Sequence, residues 1–173
     1  MIGPSGVSGL RGYPALVIDG GACLPPEVPR GVSKPSESSW GASAPVAIGP
    51  GSSGISASRV SISSFNVMKK TDIASPKLFK ACCTGDHVDK MTVSMRKQTG
   101  AAGGQEVFLI YTFNEVMVES IQWSGSSGGD DTPTESVSFA FAKVTVEYKV
   151  QGKDGKLVAG TPVVWDVTKV DAN

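Results

Sequence analysis

The sequence predicts a mostly all-β fold: a two-sheet β-barrel or sandwich with one short flanking α-helix. Three observations carry that reading. The stretch Glu135–Val150, ESVSFAFAKVTVEYKV, alternates apolar and polar residues as a strand with one buried face does. Its apolar phase slips by one residue, from Val137, Phe139 and Phe141 to Val144, Val146, Tyr148 and Val150. Helix start and stop signals fall together only around Ser75 to Gly85.

The slip is informative in itself. Shifting the phase by one turns a buried set outward unless the backbone absorbs it, so a β-bulge or sheet corner is expected near Ala142-Lys143. At about 3.3 Å per residue the whole stretch would span roughly 50 Å, too long for one flat sheet in a small domain. It is expected to bend from one sheet into another and to act as the spine of the fold.

At 173 residues a single domain is the default. Lys+Arg and Asp+Glu are both 16, which cancels the formal charge. Nucleic acid calls for a basic face and a membrane surface for a Lys/Arg cluster, and neither pattern is present. No stretch approaches the roughly 20 apolar residues of a spanning helix. The N-terminus lacks a basic region followed by a continuous apolar one, so no cleaved signal peptide is expected. The cysteines are Cys23, Cys82 and Cys83; the last two are adjacent and bond only with strain, so no disulfide framework follows. Folding in a reducing cytosol fits that usage.

Residues 1–38 read as an atypical Gly/Pro-rich arm. Seven Gly and six Pro fall within the first 39 residues, with no sustained period. Tyr13–Ile18 makes at most one short strand, and Pro25, Pro26 and Pro29 forbid regular structure around them. From Ser39-Trp40-Gly41 a different segment begins, placing a domain over 39–173. Gly41 to Ser58 is almost entirely Gly, Ser, Ala and Pro, a long flexible loop of the kind usually functional or disordered. Its Gly49-Pro50-Gly51-Ser52-Ser53-Gly54 run is not a phosphate cradle, because no Lys-Ser/Thr pair and no helix follow it.

Arg59–Met68 reads as one strand with Val60 and Ile62 on one face, Phe65 and Val67 on the other, and Ser63-Ser64 at the phase change. The helix then has Ser75 as N-cap, Pro76 at N1, Lys77–Thr84 as body and Gly85 at C′. Leu78, Ala81 and Cys82 form its inner stripe, and Lys77 and Lys80 face solvent. Lys90–Arg96 alternates, with Met91, Val93 and Met95 inward. Gly100–Gly104 is a turn into a strand over Gln105–Thr112. Asn114-Glu115 reads as a tight hairpin into Val116–Trp123. Ser124–Thr134 is a second flexible loop, Gly152–Gly155 a hairpin turn, and Thr161–Val167 the last strand.

Reactive groups are few. His87 is the sole histidine and no Gly-x-Ser-x-Gly elbow accompanies it, so a Ser–His–Asp site is not supported. Asp130-Asp131 read as solvated loop charges, since an oxygen cage of six to eight ligands is not visible. Cys82 and Cys83 lack the second thiol pair or spaced His of a metal site. Trp40, Trp123 and Trp165 suit packing or an interface better than a ligand platform. No catalytic residue, cofactor or metal site is assigned, and the chain reads as not an enzyme.

Several blocks resemble the Hcp family, the tube protein of type VI secretion. They are Ser39-Trp40-Gly41 with its Gly/Ser loop; Phe65-Asn66-Val67; Ser75-Pro76-Lys77-Leu78-Phe79-Lys80-Ala81 with Cys82–Gly85; Gly128-Gly129-Asp130; and SFAFAKVTVEY within Val137–Tyr148. The likeness runs from about residue 39 to about residue 170, with helix, loops and strands in the family's order. It implies a flanked β-barrel whose six copies close into a ring, with rings stacking into a tube inside contractile sheath proteins behind a spike protein. By the same resemblance, Ala47, Ile48, Gly49, Pro50, Gly51, Ser52, Ser53 and Gly54 form the ring-stacking loop. Effector proteins carried in the pore, assembly in the cytoplasm and secretion without a cleaved signal peptide are implied too. Residues 1–38 do not match the family's opening, so its first barrel strand is expected to be missing or replaced. The rival readings are a monomeric β-barrel binding module with an internal ligand and a hydrolase-type secreted effector, the latter disfavoured by the single His.

Overall fold

A computed structural model of the chain describes residues 15–19, 32–33, 35–47, 56–57, 59–98, 105–125, 132–152 and 156–169. In chain order these form β1 (Ala15–Asp19), β2 (Val32–Ser33), β3 (Pro35–Ser39), β4 (Ala42–Ser43), β5 (Val46–Ala47), β6 (Ser56–Ala57), β7 (Ser61–Ile62) and β8 (Phe65–Lys70). They continue as α1 (Ser75–Thr84), β9 (His87–Gln98), β10 (Gln105–Ser124), β11 (Thr134–Gln151), β12 (Leu157–Ala159) and β13 (Val163–Asp166). The fold is mostly strand with one helix, as the alternating patterns require.

β11 is the spine. One of its edges pairs antiparallel with β10 from Leu109↔Tyr148 to Ser124↔Thr134. Its other edge is shared by β8 along the first part, β13 at Lys143–Val146 and β12 at Lys149–Gln151. Nine strands join in this way, in the order β2-β1-β9-β10-β11-β8-β3 with β12 and β13 attached to β11. Among the described residues the ladder runs open from β2 to β3 and does not close on itself. β1 pairs with β9 from Ala15↔Ser94 to Asp19↔Lys90, and β3 pairs with β8.

The phase slip in β11 is one part of a corner that crosses three strands. Buried residues run Val88 then Met91 in β9, Phe113 then Val116 in β10, and half-buried Phe141 then buried Val144 in β11. Each strand therefore places two consecutive residues between its inward ones, at the same row: Lys90 and Lys143 both pair with Asn114. Next to it Glu115 has φ 51°, the left-handed region, and has no ladder partner in either neighbour. The backbone bends there and keeps one face toward one core, as a corner demands. Two further irregularities lie in β10, at Phe108 and Glu119.

Four expectations are corrected. Asn114-Glu115 is no hairpin: β10 runs unbroken for 20 residues, and the left-handed residue kinks it. Arg59–Met68 is two strands, because β7 pairs with β4 while β8 pairs with β11 and β3, and Ser63 breaks the run by donating its backbone N–H to the Gly41 carbonyl at 2.9 Å. The segment from Ala42 to Ser58 begins as a ladder, β4 with β7 and β5 with β6. The N-cap of α1 is Ala74, one residue earlier than expected. Ser75 is instead the first helical residue; its Oγ accepts from the Asp72 N–H at 2.9 Å, and Asp72 Oδ1 accepts from Ala74 N–H. Gly85 ends the helix at φ 70°, with its own N–H and that of Asp86 donating to the Ala81 carbonyl.

Leu78 buries the helix against β10, and the Cys82 thiol reaches the Glu119 carbonyl that the β10 irregularity turns outward, at 3.8 Å. The core is aromatic. Phe113 meets Phe65 at 4.9 Å and Phe141 at 4.7 Å between ring centroids, and Trp40 closes over Tyr111 and Phe113 edge-on at 5.4 and 5.8 Å. Ser39-Trp40-Gly41 thus plugs the core just before the chain leaves into β4. After β12, Gly160 brings its N–H to the Tyr148 carbonyl at 2.9 Å, and a Cβ there would lie 2.9 Å from that oxygen. Only glycine fits without a shift. β12 itself carried too short an apolar pattern to be expected from the sequence.

Candidate functional site

The surface carries three features that a single folded chain leaves unsatisfied or unexplained. The first is the apolar face past the corner. β11 continues its inward phase through Val146, yet Tyr148 and Val150 on the same phase are exposed, the latter 58%. Val158 lies directly across from Val150, and Val163 across from Val146, both exposed as well. The alternation that buries Val137 and Phe139 thus runs on into solvent, which corrects the expectation that the whole phase is internal. Scattered exposed valines are ordinary, but a contiguous cross-strand set marks an interaction surface.

The second is a cleft of about 310 Å³ under the β4–β7 pair. It is lined by Trp40, Ala42, Val60, Ile62, Val144, Val146, Val163 and Trp165. Val60 and Ile62 face it because of the phase change at Ser63-Ser64, and Trp165 comes from β13 opposite Val144. The lining is entirely apolar. A cleft of that size sits at the small end of ligand sites, which also need a few polar groups to orient a ligand.

The third lies where β11 begins. Lys69 and Glu135 are directly opposite in the β8–β11 ladder, are 1% and 0% exposed, and bring Nζ to 2.6 Å from Oε1. That oxygen meets the ammonium as a charge contact without the geometry of a directed hydrogen bond. Nζ also pairs with Asp72 Oδ1 at 2.8 Å and donates to Ser75 Oγ at 3.3 Å, tying the sheet to the start of α1. The other oxygen of Glu135 accepts from Trp123 Nε1 at 2.8 Å. Trp123 is itself 46% exposed and stands 5.5 Å from the Phe79 ring on α1. A buried pair tied to Asp72, Ser75 and Trp123 fixes geometry at some expense in desolvation. Sequence reasoning missed it, although Lys69 is in phase with Phe65 and Val67, and Glu135 with Val137 and Phe139.

Of the expected ring-stacking residues, Ala47 lies in β5; Ile48, Gly49, Pro50, Gly51, Ser52, Ser53 and Gly54 lie outside the described residues, as do Cys23, Asp130 and Asp131. The β5–β6 pair, Val46↔Ala57 and Ala47↔Ser56, forms the stem from which that segment continues. His87 opens β9, exposed, and pairs with Met117. Cys82 is half-buried and Cys83 exposed, both as free thiols. Among the described residues no three His, Cys, Asp or Glu side chains converge as a metal site, and no helix is long and apolar enough to cross a membrane.

Comparison with known proteins agrees with the sequence blocks. The family described as type VI secretion system effector, Hcp, matches residues 35–148. The protein Hcp1 of Pseudomonas aeruginosa is 37% identical over 97 residues, covering 56% of this chain and 58% of that relative's length. A solved structure of a type six secretion system protein superposes with a TM-score of 0.78 at 27% identity, over 94% of this chain and 99% of that one. The crystal structure of Hcp1 from Salmonella typhimurium gives 0.65 at 25% identity, over 95% and 100%. The chain belongs to the Hcp family of type VI secretion tube proteins.

Proposed function

We infer that this chain is the structural subunit of a type VI secretion inner tube, six copies closing into a ring and rings stacking around a pore that carries effector proteins. The observation that carries the reading is the apolar set Tyr148, Val150, Val158 and Val163, left in water by one chain and suited to burial by another. Zero formal charge permits identical units to stack without mutual repulsion. In this reading residues 39–173 form the Hcp-like domain, 1–38 an atypical arm, and Ala47 through Gly54 the loop that reaches the next ring. Its partners are itself, the spike at the tube tip, the contractile sheath and the carried effectors. Assembly takes place in the cytoplasm, and export needs no cleaved leader.

Light scattering on the purified chain tests this. The ring predicts a particle of about 107 kDa, six copies of 17.9 kDa. A stable monomer at high concentration would favour the second reading, a binding module using the cleft beside Trp40 and Trp165. The absence of a polar group in that lining argues against it.

A further inference from the structure

We propose that Ile73 of one copy seats in the apolar cleft beside Trp40 and Trp165 of the next copy around the ring. The assignment rests on the ring reading above and concerns contact within a ring, not between rings. Ile73 is 80% exposed, more than any other large apolar side chain among the described residues. It precedes the helix cap Ala74, a position from which an apolar residue ordinarily folds back onto the fourth helical residue, here Leu78. Leu78 is instead buried where α1 packs on β10, and Ile73 stays in water. The helix start makes no use of its side chain.

That exposure is rigid. Ile73 sits in a tight turn in which the Ser75 N–H donates to the Asp72 carbonyl at 3.0 Å and the Ala74 N–H to Asp72 Oδ1 at 2.9 Å. The Asp72 N–H donates to Ser75 Oγ at 2.9 Å, and the buried Lys69 holds the Asp72 carboxylate at 2.8 Å. A side chain presented on a fixed backbone loses little freedom when a partner buries it.

The cleft supplies what such a side chain needs. An apolar cavity of about 150 Å³ already holds a benzene ring, and this one has about 310 Å³. Its walls are fixed, since Trp40 packs edge-on against three core aromatics and Gly41 and Ser63 hydrogen-bond each other between β4 and β7. Through Val146 and Val163 it is continuous with the exposed Tyr148, Val150 and Val158, of which it forms the concave end. The chain does not fill it from its own Ile73. That turn is anchored where β11 begins, by the Thr71 N–H on the Pro133 carbonyl and by Lys70 opposite Thr134. Val144 stands about ten residues farther along, roughly 30 Å of strand and past the corner. The two surfaces are different and lie beside opposite halves of one strand, so their contact is head to tail, the type whose repetition closes a ring.

Ile73→Asp and Val60→Asp test this, both at exposed positions where a carboxylate leaves the fold intact. Each variant is expected to need at least about tenfold more protein to reach the six-copy mass in light scattering, as loss of an interface anchor does. In a second measurement, full chains carrying Ile73→Cys are mixed with full chains carrying Val60→Cys and oxidised. The expected product is a disulfide from position 73 of one chain to position 60 of another, located by peptide mass spectrometry. Rings that close at unchanged concentration in either Asp variant, or a mixture that closes without the link between positions 73 and 60, overturn this assignment and leave the ring reading standing. A wild-type chain that never self-associates overturns both.

Discussion

Lys69 and Glu135 face each other across two strands, both buried and 2.6 Å apart, and through them the helix start and the Trp123 ring are joined to the spine. The ammonium also pairs with Asp72, so removing it leaves the wholly buried Glu135 carboxylate uncompensated and takes one partner from Asp72. Lys69→Met is expected to cost about 3–5 kcal/mol, the usual penalty for leaving one member of a buried pair alone. Lys69→Met with Glu135→Leu should cost clearly less than the sum of the single changes. Urea denaturation of the three variants measures this, and simple additivity would show that the two groups are not coupled.

The kink at Glu115 has a different signature. A non-glycine residue at φ 51° is held there by the corner against its own preference. Glu115→Gly should raise stability by up to about 1 kcal/mol, whereas Glu115→Val, β-branched at the same angle, should lower it by at least as much. Thermal unfolding of both variants reads the difference. Equal effects would mean that the left-handed angle is not maintained.

Trp40 is the lid on the aromatic core, edge-on to Tyr111, Phe113 and Phe141. Trp40→Ala should lose about 3 kcal/mol, in the range of large aromatic truncations. Near-ultraviolet circular dichroism should lose intensity with it, while Trp40→Phe retains most of both.

Asp166 gives a pH test. The Thr168 hydroxyl, 2.6 Å away, and the Thr168 N–H at 3.0 Å hold its carboxyl below its ordinary value, partly opposed by desolvation and aided by Lys169. A carboxyl depressed in the folded state adds stability above its unfolded value, and that contribution is lost as pH falls through the folded one. Thr168→Val should therefore raise the Asp166 titration midpoint and flatten the acid side of the stability curve. Carbon-detected NMR titration follows the carboxyl directly, and an unmoved midpoint would contradict the assignment.

The sequence showed the spine because a period of two and its slip are local properties, readable in Val137 to Val146 without knowing any partner. The same corner in β10 is not legible in this way. A residue pair with a left-handed member looks like a turn from inside one strand, and only the flanking strands β9 and β11 show that pairing resumes on both sides of Glu115. Ser63-Ser64 announced a change of face but not a change of partner, since partner choice is non-local. The Lys69–Glu135 pair leaves a trace in the sequence: a charge in phase with a buried set in each of two strands is a demand for a mate. The exposed continuation at Tyr148 and Val150 had the pattern of core, because alternation reports a covered face and not which chain covers it.

The covering of Tyr148 and Val150 by further copies of this chain is the central claim. Electron micrographs of the purified full chain test it directly: class averages should show annular particles with sixfold symmetry and an open centre. Uniform small particles the size of one 17.9 kDa chain, at concentrations well above those used for assembly, would contradict it.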